Sequence, residues 1–159
     1  HPALDKGGPA PRRIPVDVGI VGTDRYVWLP SGRALVYHNC RREYVQPKDR
    51  NGKPLPYRRR AWVCDAVVGN GTQRRIVGGP TQVENIIQAI GRDLLTHALV
   101  NVERAGFRTI THVHDEIVTE TTGGLTVKRL SSLMCDLPDW AEGLPVEAAG
   151  YTTQRYRKD

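Results

Sequence analysis

A chain of 159 residues is long enough for one domain with a real core and too short for two. Hydrophobic residues make up 39% and aromatics 6%, a composition for a modest core, and the formal charge of +6, carried mostly by arginine, favours an anionic partner such as nucleic acid. No run of eighteen apolar residues and no signal-peptide core is present, so the sequence offers no membrane span.

The first 22 residues, with Gly7-Gly8-Pro9, Pro11 and Pro15 and no periodicity, read as an irregular lead-in. The chain begins with His1 rather than Met, which predicts a processed, cleaved or engineered piece. Tyr26–Leu29 and Ala34–Tyr37 are strand-like runs separated by Pro30-Ser31-Gly32-Arg33, a hairpin with Pro and Gly supplying the turn. Cys40, Cys64 and Cys135 are far apart, odd in number and without metal-ligand spacing, which predicts reduced thiols in a cytosol-like compartment. Arg41–Arg60 is polar, Pro- and Gly-bearing and basic, and reads as a loop that is either solvated or in contact with a nucleic-acid backbone. Trp62–Val68 and Gln73–Val77 form a second hairpin around Gly69-Asn70-Gly71-Thr72, where Asn-Gly is a strong turn signal.

Thr81–Arg104 is the best helix in the chain. Thr81 and Glu84 have capping-box spacing, and Gly106 lies where a left-handed cap is expected. Val83, Ile86, Ile87, Ile90, Leu94 and Ala98 recur at helical spacing and predict the buried face. Asn85, Gln88 and Arg92, three and four apart, form a polar stripe. It reads as a wet surface or as a set of side chains suited to base edges and minor-groove acceptors. One short turn later comes Thr109–Glu120, TITHVHDEIVTE, two strands joined by a tight turn with His114, Asp115 and Glu116 at its tip. Gly123-Gly124 then breaks the chain, Val127–Cys135 is a short amphipathic helix, Pro138–Gly143 a loop, Leu144–Tyr151 a last strand, and Arg155–Asp159 a basic tail. Hairpins with segregated helices indicate an α+β domain on an antiparallel sheet with a long helix packed on it.

Charged residues at a hairpin tip are ordinary where the turn is merely solvated. A His-x-His zinc site from His112 and His114 lacks a third ligand at recognisable spacing. A third reading emerges from four stretches taken together. Val113-His114-Asp115-Glu116, the helix Val83–Ile90 continuing into Arg92-Asp93, the hairpin Leu29-Pro30-Ser31-Gly32-Arg33, and the C-terminal Trp140-Ala141-Glu142-Gly143-Leu144-Pro145 with Tyr156-Arg157-Lys158 resemble, in the same order, the end of the palm in family A DNA polymerases, most closely phage-encoded members. The resemblance covers roughly Leu29 to Asp159 and assigns residues 23–159 to the C-terminal palm portion of an incomplete polymerase domain.

What the resemblance implies is specific. Asp115 would ligate Mg²⁺ in a two-metal site for nucleotidyl transfer from a dNTP to a primer 3′-hydroxyl, since hard oxygen ligands suit that ion. Glu116 would support it, and His114 would hydrogen-bond the primer backbone. Gln88, with Asn85 and Arg92 beside it, would contact the minor groove of primer–template DNA, where acceptors are common to every base pair and contacts check geometry rather than sequence. The family's first catalytic motif, with its other metal-binding Asp, and the fingers helix have no match in the sequence. A second polypeptide carrying those motifs is therefore expected, the chain is expected to be inactive alone, and the setting is cytoplasmic (host cytoplasm for a phage-encoded protein). Two alternatives stay open: a non-catalytic DNA-binding or assembly module derived from a palm, and a basic α+β binding domain with no relation to polymerases.

Overall fold

The computed structural model describes residues 15–68, 70–121 and 124–156. Most of the lead-in, Gly69 of the second turn, Gly123 of the Gly-Gly break and the tail from Arg157 lie outside the described residues. Two compact units divide the chain, one from Pro15 to Ile90 and the other from Gly91 onward. The architecture is α+β, as expected.

The first unit is a five-stranded antiparallel meander with strands in chain order. It comprises β1 (Asp17–Val21), β2 (Asp24–Trp28), β3 (Ala34–Val45), β4 (Arg59–Val68) and β5 (Gly71–Ile76). The first strand corrects the expectation of an irregular segment up to residue 22. Gly22, at φ +60°, makes the reversal that lets Val21 pair with Asp24 and Asp17 with Trp28. In the expected β2–β3 hairpin, Trp28 pairs with Ala34. Leu29 N–H donates to the Arg33 carbonyl at 2.7 Å, and Gly32 turns the chain at φ +84°.

The loop expected over Arg41–Arg60 is shorter, because β3 runs on to Val45 and β4 starts at Arg59. Composition hid this: the charged residues at 41–43 and 59–60 alternate across a paired ladder and keep their heads in water. Register between β3 and β4 shifts between His38 and Arg41. There Cys40 and Cys64 come together with Cα atoms 4.2 Å apart and are joined as a disulfide. This corrects the expectation of three reduced thiols; only Cys135 is free among the described residues. A separation of 24 residues conceals the adjacency that antiparallel pairing creates. Cys40, Cys64 and Val77 form a small core, with Tyr37 and Trp62 packed against it.

Helix α1 spans Gly79–Arg104, two residues longer at its start than expected. Thr81 therefore sits inside the first turn rather than at the cap. Glu84 accepts from Gln88 Nε2 at 3.3 Å instead of completing a capping box. The predicted apolar face is also partly wrong. Ala89, Leu95, Ala98 and Val102 are buried, whereas Val83 and Ile87 are 55% and 64% exposed. Within the first unit, Arg33 Nη2 donates to the Ala89 carbonyl at 2.9 Å and Asn85 Nδ2 to the Tyr37 hydroxyl at 3.0 Å, tying the helix start to the β2–β3 hairpin.

The second unit holds the strongest core. Helix α1 ends in the expected glycine cap: Gly106, at φ +90°, donates to the Glu103 carbonyl at 3.0 Å, and Phe107 N–H to the Val102 carbonyl at 3.2 Å. That double bond pattern brings Phe107 back onto Val102. Both join Leu95, Ala98 and Ile117 in one cluster, flanked by Leu99, Leu125, Leu130, Leu133 and Met134. Among the described residues, strands β6 (Arg108–Val113) and β7 (Glu116–Glu120) pair only with each other. Helix α2 (Val127–Met134) is capped by the Thr126 side chain, which accepts from Arg129 N–H at 3.2 Å. A single 3₁₀ turn follows at Asp139–Ala141. The strand expected over Leu144–Tyr151 does not form; Pro145 lacks a ladder donor, and Leu144 N–H turns back to the Ala141 carbonyl. No described helix is long and apolar enough to cross a membrane.

Candidate catalytic hairpin

The β6–β7 hairpin turns in two residues. Val113 pairs with Glu116, leaving His114 and Asp115 as the connection. Such short turns match the twist of their strands only with left-handed backbone, and His114 supplies it at φ +53°. Glycine adopts that region at least cost, and histidine is among the side-chain-bearing residues found there more often than most.

Behind the turn the hairpin is anchored. Ile117 pairs with His112 and enters the Phe107 cluster, while Thr109 N–H donates to Glu103 of α1 at 2.6 Å. A register shift between Thr109 and Thr111 displaces Ile110, which is 54% exposed. Two-stranded hairpins are marginal without such backing. The sequence places an apolar residue right after the charged tip so that the turn stays in water while its base is held.

Asp115 is exposed at the tip, and no hydrogen bond or ion pair engages its carboxylate among the described residues. Glu116 is half-buried and already engaged: its Oε2 accepts from the Tyr156 hydroxyl at 3.2 Å. Partial burial together with the Glu116 carboxylate pushes the Tyr156 phenol up from its ordinary value. This Tyr156 contact, made across 40 residues, was not visible in the sequence as a contact; the only signal was an aromatic in a basic tail.

His112 lies on β6 facing Arg92, whose Nη1 donates to His112 Nδ1 at 3.4 Å. Because His114 sits in the turn with left-handed backbone, strand alternation does not bring it alongside His112. Among the described residues no three His, Cys, Asp or Glu side chains cluster as a metal site. Asp115 nevertheless fits one position of an oxygen-ligated divalent ion, being an exposed carboxylate with no competing cation.

The polar positions of α1 are not equivalent. Gln88 and Arg92 are exposed, whereas Asn85 is half-buried and commits its amide to Tyr37. Asn85 therefore holds the helix to β3, and Gln88 and Arg92 are the two with side chains in water.

No protein-family model matches the chain, and no solved structure is similar to it. A curated protein is: the DNA polymerase of Bacillus phage SP02 is 35% identical over 136 residues, covering 84% of this chain. The chain spans about a fifth of that relative's length, 20%. A relationship to a DNA polymerase is thereby established for nearly the whole of the chain.

Proposed function

We propose that the chain is the C-terminal palm portion of a family A DNA polymerase and that the His114–Glu116 hairpin carries part of its nucleotidyl-transfer site. The observation that carries this reading is the tip of the hairpin. An unpaired carboxylate is held out on a tight two-residue turn whose base is locked into the core, in a chain related to a phage DNA polymerase. A rigid mount of this kind suits a ligand that must be held to within about half an ångström.

Asp115 is the metal ligand of this proposal, holding Mg²⁺ through its exposed carboxylate. The metal, when bound, supplies charge stabilisation at the transferring phosphoryl group. Glu116, braced by the Tyr156 hydroxyl, keeps a second negative charge beside Asp115 at a fixed position. His114 extends from the turn towards the primer end and donates a hydrogen bond to its backbone. Gln88 and Arg92 reach the minor-groove acceptors of primer–template DNA, and Asn85 sets the helix that carries them.

One carboxylate does not supply enough ligands to complete two octahedral Mg²⁺ sites, so the remaining motifs come from a second polypeptide or from the rest of a longer chain. The exposed Val83 and Ile87, one turn apart on α1, support this: they make an apolar stripe suited to the rest of a polymerase domain. Primer extension with Mg²⁺ and dNTPs tests the proposal. Extension is expected only when the chain is combined with the missing polymerase part, and Asp115→Ala is expected to abolish it with assembly intact. Full extension by the Asp115→Ala assembly refutes the role given to Asp115.

A further inference from the structure

The five-stranded sheet treats charge differently on its two faces. On one face Arg74 is fully matched. It donates to Asp65 Oδ1 at 2.7 Å, to the Asn39 carbonyl at 2.7 Å and to the Glu43 carboxylate. Asp65 also accepts from Asn39 Nδ2 at 3.0 Å. One guanidinium thus faces two carboxylates, so this face carries its own counter-charge.

Strand alternation puts Arg42 and Tyr44 of β3, with their cross-strand partners Trp62 and Arg60 of β4, on the opposite face. There the Arg25 guanidinium lies 4.5 Å from the Trp62 ring centroid and that of Arg42 5.6 Å from it. The Arg60 guanidinium lies 5.9 Å from the Tyr44 ring, and Tyr44 is 71% exposed. No carboxylate pairs with Arg25, Arg42 or Arg60 among the described residues. Three like charges interleaved with two aromatic rings and left without a protein counter-charge raise the local positive potential and attract anions. Cation–π contact offsets only part of their mutual repulsion.

Guanidinium groups laid against aromatic rings keep N–H edges free for phosphate oxygens, and an exposed tyrosine ring offers a π-face to a base. Duplex DNA hides its base faces in the stack, so the free ring suits an unpaired strand. We infer that this face of the sheet binds single-stranded nucleic acid, with phosphates on Arg25, Arg42 and Arg60 and a base stacked on Tyr44. The inference stands on the sheet alone and is independent of the catalytic hairpin.

The test is fluorescence anisotropy of a labelled oligothymidylate with the full chain across a salt series, with no primer, nucleotide or Mg²⁺. Binding is expected to weaken with salt. Replacing two phosphate-contacting arginines, in Arg42→Gln/Arg60→Gln, lowers the slope of log affinity against log salt by about 1.4, at roughly 0.7 per phosphate. Tyr44→Ala weakens binding about fivefold or more with the slope unchanged, and Tyr44→Phe restores it. The assay contains no primer end, nucleotide or Mg²⁺, which keeps this outcome separate from failure of the polymerase reading. Wild-type affinity in both Tyr44→Ala and the double glutamine variant overturns the inference. So does a Tyr44→Ala loss equally large on blunt duplex, which would make the patch a general basic surface without stacking.

Discussion

Ile117 is the residue through which the core holds the hairpin tip, and truncating it tests whether the tip depends on that support. Ile117 is 8% exposed and belongs to the Phe107 cluster, two residues after Asp115. Removing a buried aliphatic side chain of this size costs about 2–5 kcal/mol, the transfer free energy of the lost carbons plus the cavity left behind. Among the described residues no other strand pairs with β6–β7, so most of that loss falls on the hairpin. Even the lower figure corresponds to roughly a 30-fold increase in local opening. Ile117→Ala is therefore expected to accelerate amide hydrogen exchange in β6 and β7 by that factor or more, with β3 and β4 unchanged. Val118→Ala, half-buried and outside the cluster, is expected to have a much smaller effect. Equal acceleration in both sheets, or no difference between the two variants, refutes the idea that this one side chain anchors the tip.

Gly106→Ala meets no steric obstacle but forces alanine to φ +90°, and is expected to cost about 1–2 kcal/mol, read as a lower midpoint in urea unfolding. His114→Gly lowers the cost of the left-handed turn at the expense of chain entropy, so stability should stay within about 1 kcal/mol of wild type while primer extension by the assembled enzyme falls. Loss of stability with activity retained would reverse that assignment. The carboxyl of Asp65 is held below its ordinary range by Arg74 and then Asn39, and that of Asp24 by the Asn39 N–H and then His38. Both carboxyls titrate lower in the folded state than in the unfolded, so their stabilisation is complete above the ordinary carboxylate range and lost as pH falls through the folded values. Asp65→Asn is expected to flatten the fall in midpoint below about pH 4, and an unchanged acid profile refutes this.

Local signals carried far in this sequence where the structure is local. The β2–β3 turn, the pairing of β4 with β5, the Gly106 cap and the tight turn at His114-Asp115 all depend on neighbours a few residues away, and each was legible, although Gly71, expected in the second turn, pairs with Val68 inside the ladder. Long-range features were not. The Cys40–Cys64 bond arises from strand register, and the Tyr156–Glu116 contact joins the tail to the hairpin. Strand content at residues 41–45 and 59–60 was masked because exposed strands can carry as much charge as a loop. Val83 and Ile87 were assigned to a buried face because periodicity reports which side of a helix is apolar, not whether this chain covers it. Asn85 looked equivalent to Gln88 by spacing, and only the position of Tyr37 separates them.

The Cys40–Cys64 bond encloses the whole of the Pro- and Gly-bearing segment 46–58, whose ends are both fixed in strands. A protease cutting within that segment would leave two polypeptides that still migrate as one on a non-reducing gel and part on reduction. The sheet could thus be nicked at its widest loop and remain a single covalent body, and mass spectrometry with and without reductant would distinguish an intact chain from a nicked one.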